Sequence, residues 1–506
     1  MNEKKFLKII EQQSNIIIYG AGMVGELLYK RLLMIGLEEK VCGFAVTKRS
    51  QSVEKFCGQP VFEIAEVANK KRESLVVIAT LKGLHQEMEK VLKTLNFENI
   101  IKISDGLYRS ISLNYIRDFR KKQKMNKKEF DVLFMASDNN SSSGAFLCMV
   151  DLNCELMKQN ISTLVVLPEY GTGEKILNEK RIPYTYIVSY DWAIDDKFSL
   201  NVYKRFLLFK NLRAIKELQE LVQRYNVKLI HNNTTYTYIG AYVARSEQVA
   251  LVWHIRECMK FQNKQFLNRR WAVKTMSCSD KIIFISQYMK DCLKELDDEN
   301  GVIVYDGLDT DMFFVQNHKI LEQKEVVITL VGALVEHKRQ EELICAVATL
   351  KQRGYKAYRV RLVGSGKPQY ERHLQDLVSE LDVSDSIEFW GRRDDMRSIY
   401  SETDIVVVCS GIEGFGRVTV EGQLAGCLVI AANSGATVEL IEDGSTGMLY
   451  EAGNSESLAN CIEKALRCPD KVQEIAANGQ LYACQNYSRE KNATEIVGVY
   501  KEIWSK

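Results

Sequence analysis

The chain has 506 residues, of which 46% are hydrophobic and 26% charged, and its formal net charge is +2 at pH 7. This length predicts two or three domains, because a single hydrophobic core rarely serves so many residues. The nearly balanced total charge gives no strong signal for nucleic-acid binding, so no nucleic acid is expected as a partner. The 13 cysteines include no Cys-x-x-Cys pair, which indicates a reducing compartment and neither a disulfide framework nor a zinc site.

Targeting and membrane signals are weak. The first thirteen residues form a charged amphipathic stretch and do not resemble a signal peptide. No run of about eighteen apolar residues occurs, so no membrane-spanning helix is expected. We therefore predict a cytoplasmic protein. We predict no metal site, and the pair Asp394-Asp395 is interpreted as a solvated turn.

The first predicted domain covers residues 1–110 and has a Rossmann-like pattern. A short apolar strand leads into a glycine turn and a helix, and the turn has the spacing G-x-G-x-x-G in Gly20, Gly22 and Gly25. In this context the spacing is the fingerprint of a dinucleotide site. The fingerprint also requires an acidic residue at the end of the second strand, where residues 43–48 read GFAVTK, so NAD(P) is a doubtful ligand. The alternative is a scaffold or oligomerisation domain whose glycines serve only packing.

Residues 111–129 are predicted to be a basic linker. The segment is rich in lysine and arginine, and its basic run shows no apolar periodicity, which is typical of a solvated segment. Contact with anionic lipid headgroups is a second interpretation, since each cation near such a surface contributes about 1 kcal/mol. Aromatic and basic residues also alternate at 203–213 and 260–271, but amphipathic core helices have the same pattern. Peripheral contact with the inner face of the plasma membrane is therefore one of two open interpretations.

The second predicted domain covers residues 130–315. Strands and helices alternate along it, which favours a doubly wound parallel sheet. Sites in such sheets gather at the carboxyl ends of the strands. The first strand enters a loop of small residues, and two later strands each carry a histidine near this end. The candidate cleft residues are Gly144, His231, His254, Arg256 and Glu257.

The third predicted domain covers residues 316–485 and repeats the unit of strand, glycine turn and helix. Its glycine turns contain Gly332, Gly364, Gly391 and the segment 410–416, after which a helix begins near Arg417. Backbone N–H groups at such a helix N-terminus form an anion site. Two carboxylates, Glu413 and Glu421, bracket this site, eight positions apart. Carboxylates beside a phosphate site are explained by a nucleotide sugar, whose hydroxyls lie on both sides of its diphosphate. The alternative for each is a solvated surface carboxylate.

The segment from Glu413 to Glu421 reads EGFGRVTVE and resembles the E-x7-E signature of retaining glycosyltransferases of family four. Further segments with this resemblance extend over residues 130–506. The resemblance implies the GT-B fold, in which two Rossmann-like domains face a cleft. It also implies a C-terminal helix, 486–506, that crosses back to the acceptor domain. The small Rossmann-like domain at 1–110 precedes this fold and resembles modules attached to bacterial sugar-modifying enzymes.

The resemblance also assigns roles to residues of this chain. Lys338 would clamp the leaving diphosphate, and Ala333 stands where the family usually carries a second clamping cation. His254 would contact the reacting sugar, and Asp306 replaces a usual Asn. Roles in orienting sugar, ribose and phosphate follow for Glu413, Glu421, Gly414, Phe415, Gly416 and Arg417. His254, Glu413 and Lys338 are thus the expected catalytic residues.

The implied reaction transfers a sugar from a nucleotide diphosphate to a hydroxyl with retention of configuration and without a metal ion or other cofactor. UDP is the expected nucleotide and GDP the alternative. The expected acceptor is a glycan, in one interpretation lipid-linked, of a bacterial capsule or other surface polysaccharide. Two rival functions stay open. One is an NAD(P)-dependent sugar-nucleotide oxidoreductase or epimerase that uses the first domain, and the other is a non-catalytic partner subunit with the same fold.

Overall fold

The computed structural model describes residues 1–48, 54–68, 74–80, 82–125, 127–195, 201–296, 299–321 and 325–505. The chain forms two compact units. The first unit comprises residues 1–128, 138–143 and 164–189. The second unit comprises residues 129–137, 144–163 and 190–506.

The first unit is built on a six-stranded sheet in the order β3-β4-β2-β1-β5-β6, in which only β3 and β4 are antiparallel. Its strands are β1 (Ile16–Tyr19), β2 (Val41–Val46), β3 (Lys55–Phe56), β4 (Gln59–Glu63), β5 (Leu75–Ile78) and β6 (Ile100–Lys102). Its helices are α1 (Glu3–Glu11), α2 (Met23–Met34), α3 (Ile64–Ala68), α4 (His85–Thr94) and α5 (Asp105–Lys122). Both central strands, β1 and β5, are buried along their whole length, as the uninterrupted apolar sequence predicts.

The middle of the chain contributes the strands β7 (Val132–Ala136), β8 (Thr163–Leu167), β9 (Tyr184–Tyr186), β10 (Ala193–Asp195), β11 (Leu229–Asn233), β12 (Ala250–Ile255), β13 (Lys264–Phe266), β14 (Lys281–Phe284) and β15 (Gly301–Ile303). Five of them form parallel neighbours in the order β15-β14-β12-β11-β7 within the second unit. Strand β10 pairs with β13 in a two-stranded antiparallel sheet that the sequence patterns did not predict. The helices are α6 (Gly144–Lys158), α7 (Gly173–Glu179), α8 (Asn201–Arg224), α9 (Ile239–Glu247), α10 (Arg269–Met276), α11 (Gln287–Cys292) and α12 (Thr310–Phe313).

The C-terminal part of the second unit has a six-stranded parallel sheet in the order β18-β17-β16-β19-β20-β21. Its strands are β16 (Val326–Val331), β17 (Tyr358–Val363), β18 (Ile387–Gly391), β19 (Ile405–Val408), β20 (Leu428–Ala432) and β21 (Met448–Tyr450). Its helices are α13 (Gln340–Gln352), α14 (Pro368–Glu380), α15 (Met396–Ser401), α16 (Arg417–Leu424), α17 (Thr437–Leu440), α18 (Ser455–Arg467), α19 (Pro469–Asn486) and α20 (Arg489–Trp504). The core of this sheet is dominated by aliphatic side chains of its strands and of α13 and α18. The predicted α/β class is confirmed.

Helix α20 returns to the N-terminal sheet of the second unit. It packs against α6 and buries Tyr500 completely. The chain enters the helix beside Gly307, where an added Cβ would lie 2.5 Å from the Arg489 Cα. The backbones of Leu308 and Ser488 form an isolated bridge at the same point.

The predicted linker differs from the observed structure in its first part. Helix α5 continues to Lys122, into the segment 111–129 that was predicted to be a basic linker. Ile111 and Tyr115 anchor the helix by burial, and three cations in its last turn lie where the negative end of the helix dipole favours them. Residue 126 lies outside the described residues, and the predicted domain boundaries stay a prediction.

A buried ion triad joins three helices of the first unit. The Arg31 guanidinium on α2 lies 2.7 Å from a carboxylate oxygen of Glu3 on α1 and 2.7 Å from one of Asp118 on α5. Arg31 and Glu3 are buried, so each charge depends on the other for compensation. The predicted linker segment therefore supplies one member of a structural cluster.

Candidate functional site

Three glycines lie at the carboxyl ends of three adjacent parallel strands. Gly332 follows β16, Gly364 follows β17 and Gly391 ends β18. Their φ angles are +150°, +152° and +64°, values that side chains disfavour. A Cβ on Gly364 would lie 1.8 Å from the Gly332 carbonyl oxygen, so this glycine is required by packing between loops. At Gly332 the nearest atoms to an added Cβ are side-chain carbons of Lys338 at 3.9 Å, which leaves room beside this loop.

The turn between β19 and α16 is held by side-chain and backbone hydrogen bonds. The hydroxyls of Ser410 and Ser434 donate to backbone carbonyls of this turn at 3.0 and 2.6 Å. Gly416 caps α16 with a φ of +102°, a conformation that permits the sharp entry into the helix. Gly435 approaches the Glu413 backbone so closely that an added Cβ would lie 2.7 Å from its nitrogen. The first turn of α16 is thus placed by rigid contacts.

Lys338 and Glu413 form a short ion pair at this turn. Lys338 ends a 3-10 turn after β16, and its ammonium group contacts the Glu413 carboxylate. The two side chains are 23% and 15% exposed, so the pair is accessible from one side but partly shielded from water. The pair joins two residues that are 75 positions apart in the sequence. A lysine ammonium group and a carboxylate therefore lie together beside the N-terminus of α16.

Glu421 lies one turn into α16 and is almost fully buried. One of its carboxylate oxygens accepts a hydrogen bond of 2.9 Å from the Tyr400 hydroxyl, and burial with the Glu421 charge raises the Tyr400 pKa far above its usual range. The other oxygen lies 3.6 Å from the Arg417 guanidinium. Tyr400 thus fixes the orientation of the carboxylate. Tyr400 was not predicted from the sequence, since no local pattern connects it with α16.

Arg417 lies next to the small-residue helix start in the other half of the second unit. Its guanidinium donates to the Cys148 sulfur at 3.1 Å, and its Cδ is the nearest atom to an added Cβ on Gly144, at 3.8 Å. Gly144 opens α6. Two predicted site residues from the two halves of the second unit therefore lie together.

The loop 410–416 also contacts the N-terminal sheet of the second unit. The Ser286 hydroxyl donates to the Gly414 carbonyl at 2.6 Å, and Phe415 packs edge-on against Tyr487 with 5.7 Å between ring centroids. Glu439 on α17 accepts hydrogen bonds from the backbone N–H groups of Gln287 and Tyr288 at 2.8 and 2.7 Å. Phe415 is buried in these contacts, so its side chain supports the loop by packing in the protein interior.

A buried chain of polar groups runs through the N-terminal sheet. The Tyr500 hydroxyl lies 2.7 Å from His231 Nδ1, and His231 Nε2 lies 3.1 Å from His254 Nδ1. An Arg256 nitrogen lies 3.3 Å from the same His254 Nδ1. Both histidines are fully buried. Burial and the Arg256 charge hold the pKa of each histidine well below its usual range, so both are neutral.

Arg256 contacts this polar chain at His254 Nδ1. Its guanidinium contacts the Asp306 carboxylate in a short ion pair and donates to the Asn233 side-chain oxygen at 2.8 Å. The two charged side chains are only 2% and 6% exposed. Asp306 stands where the resemblance implied Asn, and its buried partner explains why an acidic residue is stable there. Arg256 was expected at the acceptor or phosphate, and the structure places it in this internal pair.

His254 has one nitrogen that is not used by these contacts. In the described part of the chain, its Nε2 is buried and has no hydrogen-bond partner. An unpartnered buried polar atom costs free energy comparable to a lost hydrogen bond. Such an atom is a candidate ligand contact.

Glu257 lines a cavity of about 340 Å³ within the second unit. One of its oxygens accepts hydrogen bonds of 2.7 Å from the Thr235 backbone and hydroxyl. The other lining residues combine amides, cations and apolar groups: Cys258, Met259, Asn263, Lys264, Gln265, Phe266, Arg269 and Leu293. Strand β13 of the two-stranded sheet supplies part of this wall. The polar and apolar groups together suit a small hydroxyl-bearing ligand.

The predicted glycines of the first unit have two different environments. A Cβ on Gly20 would lie 2.5 Å from the Ala79 carbonyl oxygen, and one on Gly25 would lie 2.1 Å from the Gly20 carbonyl oxygen. Both glycines are therefore required by packing. Gly22 caps α2 and has no atom within 4 Å of an added Cβ. Strand, turn and helix are arranged as the fingerprint predicts, and ligand binding there stays a prediction.

Among the residues that the structure describes, no group of three or more His, Cys, Asp or Glu side chains could hold a metal ion. Asp395 caps α15 by accepting from the Ser398 N–H at 3.2 Å, and Asp394 is exposed. None of the helices covered by the described residues is both long and apolar enough to cross a membrane.

Comparisons with known proteins place these observations in two families. The family model for Glycosyltransferase Family 4 matches residues 142–312, and the model for glycosyl transferases group 1 matches residues 313–482. An uncharacterized glycosyltransferase of Methanocaldococcus jannaschii is 25% identical over 325 residues, which span 61% of this chain and 88% of the relative. A D-inositol 3-phosphate glycosyltransferase of Gordonia bronchialis is 32% identical over 173 residues, 33% of this chain and 38% of the relative.

Solved structures share the fold. The Anabaena protein HepE, in complex with UDP and glucose, is 24% identical with a TM-score of 0.62, and the match covers 74% of this chain and 100% of HepE. A glycosyltransferase of Rickettsia africae has a TM-score of 0.62 at 20% identity, with 75% of this chain and 99% of that protein covered. The predicted fold is confirmed, including an additional N-terminal sheet domain. Residues 142–482 therefore consist of a Glycosyltransferase Family 4 domain followed by a glycosyl transferases group 1 domain, and the chain has a GT-B-like α/β fold.

Proposed function

We propose that this protein is a retaining glycosyltransferase that moves a sugar from a nucleotide diphosphate to a hydroxyl of a glycan. The observation that carries the proposal is the ion pair of Lys338 with Glu413 beside the glycine-capped N-terminus of α16. A diphosphate at this position would meet the lysine and the positive end of the helix dipole. The carboxylate would then be released from the lysine to accept hydroxyls of the attached sugar. The two glycosyltransferase domains support this assignment.

Glu421 is proposed to hold the ribose of the nucleotide. Tyr400 donates to one carboxylate oxygen, and among the described residues the ion-pair partner of the second oxygen is the Arg417 guanidinium, 3.6 Å away. A carboxylate with such acceptor capacity left can accept hydrogen bonds from the vicinal hydroxyls of a ribose. UDP is the proposed nucleotide, because HepE, which shares the fold, is known in complex with UDP and glucose. GDP remains the alternative to test.

His254 is proposed to contact the transferred sugar. Its Nε2 is a buried nitrogen without a hydrogen-bond partner among the described residues. Because the imidazole is neutral and Arg256 can only donate to Nδ1, Nε2 carries the proton and is a donor. A sugar hydroxyl oxygen would satisfy it. This contact would fix the sugar without adding a charge to the cleft.

The proposed chemistry uses the leaving group as the base. The acceptor hydroxyl oxygen bonds to the anomeric carbon on the face that the diphosphate leaves, while the bond from that carbon to the diphosphate oxygen breaks. The diphosphate takes the proton of the acceptor hydroxyl, so the products are the glycosylated acceptor and the nucleoside diphosphate. Lys338 and the N–H groups at the start of α16 stabilise the charge that develops on the leaving group. No metal ion is required in this scheme.

Binding of UDP is expected to depend on the Glu421 carboxylate. The substitution Glu421→Gln keeps the size and the Tyr400 contact but removes the charge that accepts the ribose hydroxyls. Hydrogen bonds to a charged group contribute about 1.5–3 kcal/mol, so the Kd for UDP should rise roughly 10- to 100-fold in titration calorimetry. Glu474→Gln, at an exposed position on α19, is the matched control and should leave the Kd unchanged.

The same experiment distinguishes the rival functions. GDP and NAD are titrated against both variants. Tighter binding of GDP than of UDP would change the proposed nucleotide. Binding of NAD alone, equal in wild type and Glu421→Gln, would contradict the glycosyltransferase proposal and favour chemistry in the first domain. UDP binding without release of UDP from any UDP-sugar would favour the non-catalytic subunit.

The cavity beside Glu257 is proposed to receive the acceptor glycan. Its amides and the Glu257 carboxylate suit sugar hydroxyls, and Phe266 offers an apolar surface for a sugar ring. The surface-polysaccharide and lipid-linked acceptor predicted from the sequence are retained as part of this proposal. A lipid-linked acceptor would require the protein to reach a membrane surface.

Helix α8 offers a face for that purpose. Phe206, Phe209 and Leu212 are 58%, 71% and 58% exposed, and their spacing places them on one side of the helix. Arg205 and Lys210 are exposed beside them. The segment from residue 204 to 213 contains four cations and no acidic residue. The opposite side is anchored by burial, so this face is not needed for folding. We propose that it binds an anionic membrane surface.

The substitution Phe209→Ala is expected to weaken binding to vesicles that contain phosphatidylglycerol. Loss of one inserted aromatic side chain removes roughly 1.5–3 kcal/mol, so sedimentation should show a partition coefficient about tenfold lower or more. Leu481→Ala, at a 60% exposed leucine on α19, is the control and should bind as wild type does. Binding should fall as salt rises and be absent with uncharged phosphatidylcholine. Equal binding by both variants would exclude this face.

A further inference from the structure

The polar chain in the N-terminal sheet has a direction that its donors and acceptors determine. The Arg256 guanidinium has only donors, so His254 Nδ1, at 3.3 Å, must accept. His231 Nε2 lies 3.1 Å from the same Nδ1 atom. Two acceptors at this distance would repel, so His231 Nε2 must carry a proton and donate.

The next link follows from this assignment. Since His231 is neutral and carries its proton on Nε2, its Nδ1 accepts a hydrogen bond. The Tyr500 hydroxyl, 2.7 Å away, is the donor. Burial raises the pKa of Tyr500 well above its usual range, so the hydroxyl keeps its proton. The bonds therefore run from Tyr500 to His231 and from His231 to His254.

The surroundings of the two histidines leave little freedom for another arrangement. His231 is fully buried and its ring lies 4.6 Å from the Phe134 ring. The charges that face the pair are the Arg256 guanidinium and, behind it, the Asp306 carboxylate. Because Asp306 compensates the arginine, the local charge is balanced without protonation of a histidine. Both rings are thus held neutral by their environment.

We propose that Tyr500, through His231, acts together with Arg256 to hold His254 in the tautomer whose proton is on Nε2, and that Tyr500 and His231 are positioning residues for sugar transfer. The C-terminal helix α20 would thereby act on the reaction without touching the substrate. The proposed role in transfer rests on the proposed function, whereas the tautomer of His254 can be measured independently of it. This arrangement resembles that of many metal-bound or catalytic histidines. In those, a hydrogen bond to one ring nitrogen fixes the tautomer and thereby the role of the other, reactive nitrogen.

The alternative is a purely structural role for this polar chain of hydrogen-bonded side chains. Tyr500, His231 and Arg256 would then satisfy one another inside the core and would only stabilise the fold. Two facts favour the positioning role. The polar chain ends on His254 Nε2, an atom that lacks a partner among the described residues. The other ring nitrogens of His231 and His254 all have hydrogen-bond partners. A structural network would gain nothing from that last unsatisfied nitrogen.

The substitution Tyr500→Phe tests this inference, because it removes only the hydroxyl. The protein has six histidines, so its imidazole nitrogens can be followed by NMR after selective ¹⁵N-histidine labelling. In wild type, both His231 and His254 should have the Nε2–H tautomer and should not titrate between pH 6 and 8. In Tyr500→Phe, His231 Nδ1 loses its donor, so the His231 resonances should shift toward a mixture of tautomers. The His254 resonances should shift less, because its Nδ1 keeps the 3.3 Å contact with Arg256.

The kinetic measurement is the release of UDP from the UDP-sugar that the wild type uses best. Tyr500→Phe should lower kcat about three- to tenfold, corresponding to one hydrogen bond, with little change in KM. Tyr358→Phe is the matched control, since Tyr358 is also buried and donates one hydrogen bond, to the Val347 carbonyl at 3.1 Å. It should lower thermal stability similarly but leave the histidine resonances and kcat unchanged.

The outcomes separate the inference from the function on which it rests. An unchanged tautomer and kcat in Tyr500→Phe would overturn the positioning role. If Tyr358→Phe lowered kcat to the same extent, the hydrogen-bonded residues would have a role in stability alone. If wild type releases no UDP from any UDP-sugar, the proposed function fails, and the NMR result still decides whether Tyr500 fixes the tautomer.

Discussion

The substitution Lys338→Met is expected to lower kcat about 100- to 1,000-fold. Lys338 is the cation next to Glu413 and the N-terminus of α16, and Ala333 offers no second charge in the position where the resemblance implied one. Loss of one fixed donor to a developing negative charge costs roughly 2.7–4 kcal/mol of activation free energy. Release of UDP under saturating UDP-sugar measures the effect.

Two further variants show whether this loss comes from phosphate binding. Lys351→Met is the control, because Lys351 pairs with exposed Asp382 on the surface, and it should retain wild-type kcat. Lys338→Met combined with Glu413→Gln removes both charges of the ion pair. If the unpaired Glu413 carboxylate caused the defect by repelling the diphosphate, the double variant would regain activity. A kcat within threefold of wild type for Lys338→Met would contradict the proposed diphosphate clamp.

The substitution Arg256→Met is expected to lower the free energy of unfolding by roughly 3–5 kcal/mol. It leaves the Asp306 carboxylate buried without its partner, and an uncompensated buried charge is among the costliest single changes in a protein. Urea unfolding followed by tryptophan fluorescence measures the change. Lys351→Met breaks an exposed pair and should cost at most about 1 kcal/mol.

A double-mutant cycle tests whether the cost belongs to the ion pair. Asp306→Leu combined with Arg256→Met removes both buried charges, and this double variant should be more stable than either single variant. Additive destabilisation would show that the two side chains do not depend on each other. Asp306→Asn, which restores the residue that the resemblance implied, should be destabilising here because Arg256 is present.

Local patterns predicted those parts of the site that belong to one segment. The run from β19 through the glycine turn into α16 was predicted because strand burial, a glycine of positive φ and a helix start are properties of adjacent residues. The same is true of β16 with Gly332 and of β1 with Gly20. Helix α5 was missed beyond residue 110, because its basic last turn has no apolar period and its burial partners lie elsewhere in the chain.

The amino-acid pattern predicted the α/β class and the glycines and carboxylates that could meet a nucleotide sugar, and the family resemblance added the GT-B-like fold. Which of these groups touch could be learned only from the folded chain. Lys338 meets Glu413, Arg256 meets Asp306, and His231 meets Tyr500 across 75, 50 and 269 positions of sequence. The pKa and hydrogen-bond role of a buried group depend on such partners, and these are fixed by strand order and helix packing and not by the neighbouring residues. For this reason His254 could be selected from the sequence, whereas its neutral form and its single available donor could be derived only from the folded chain.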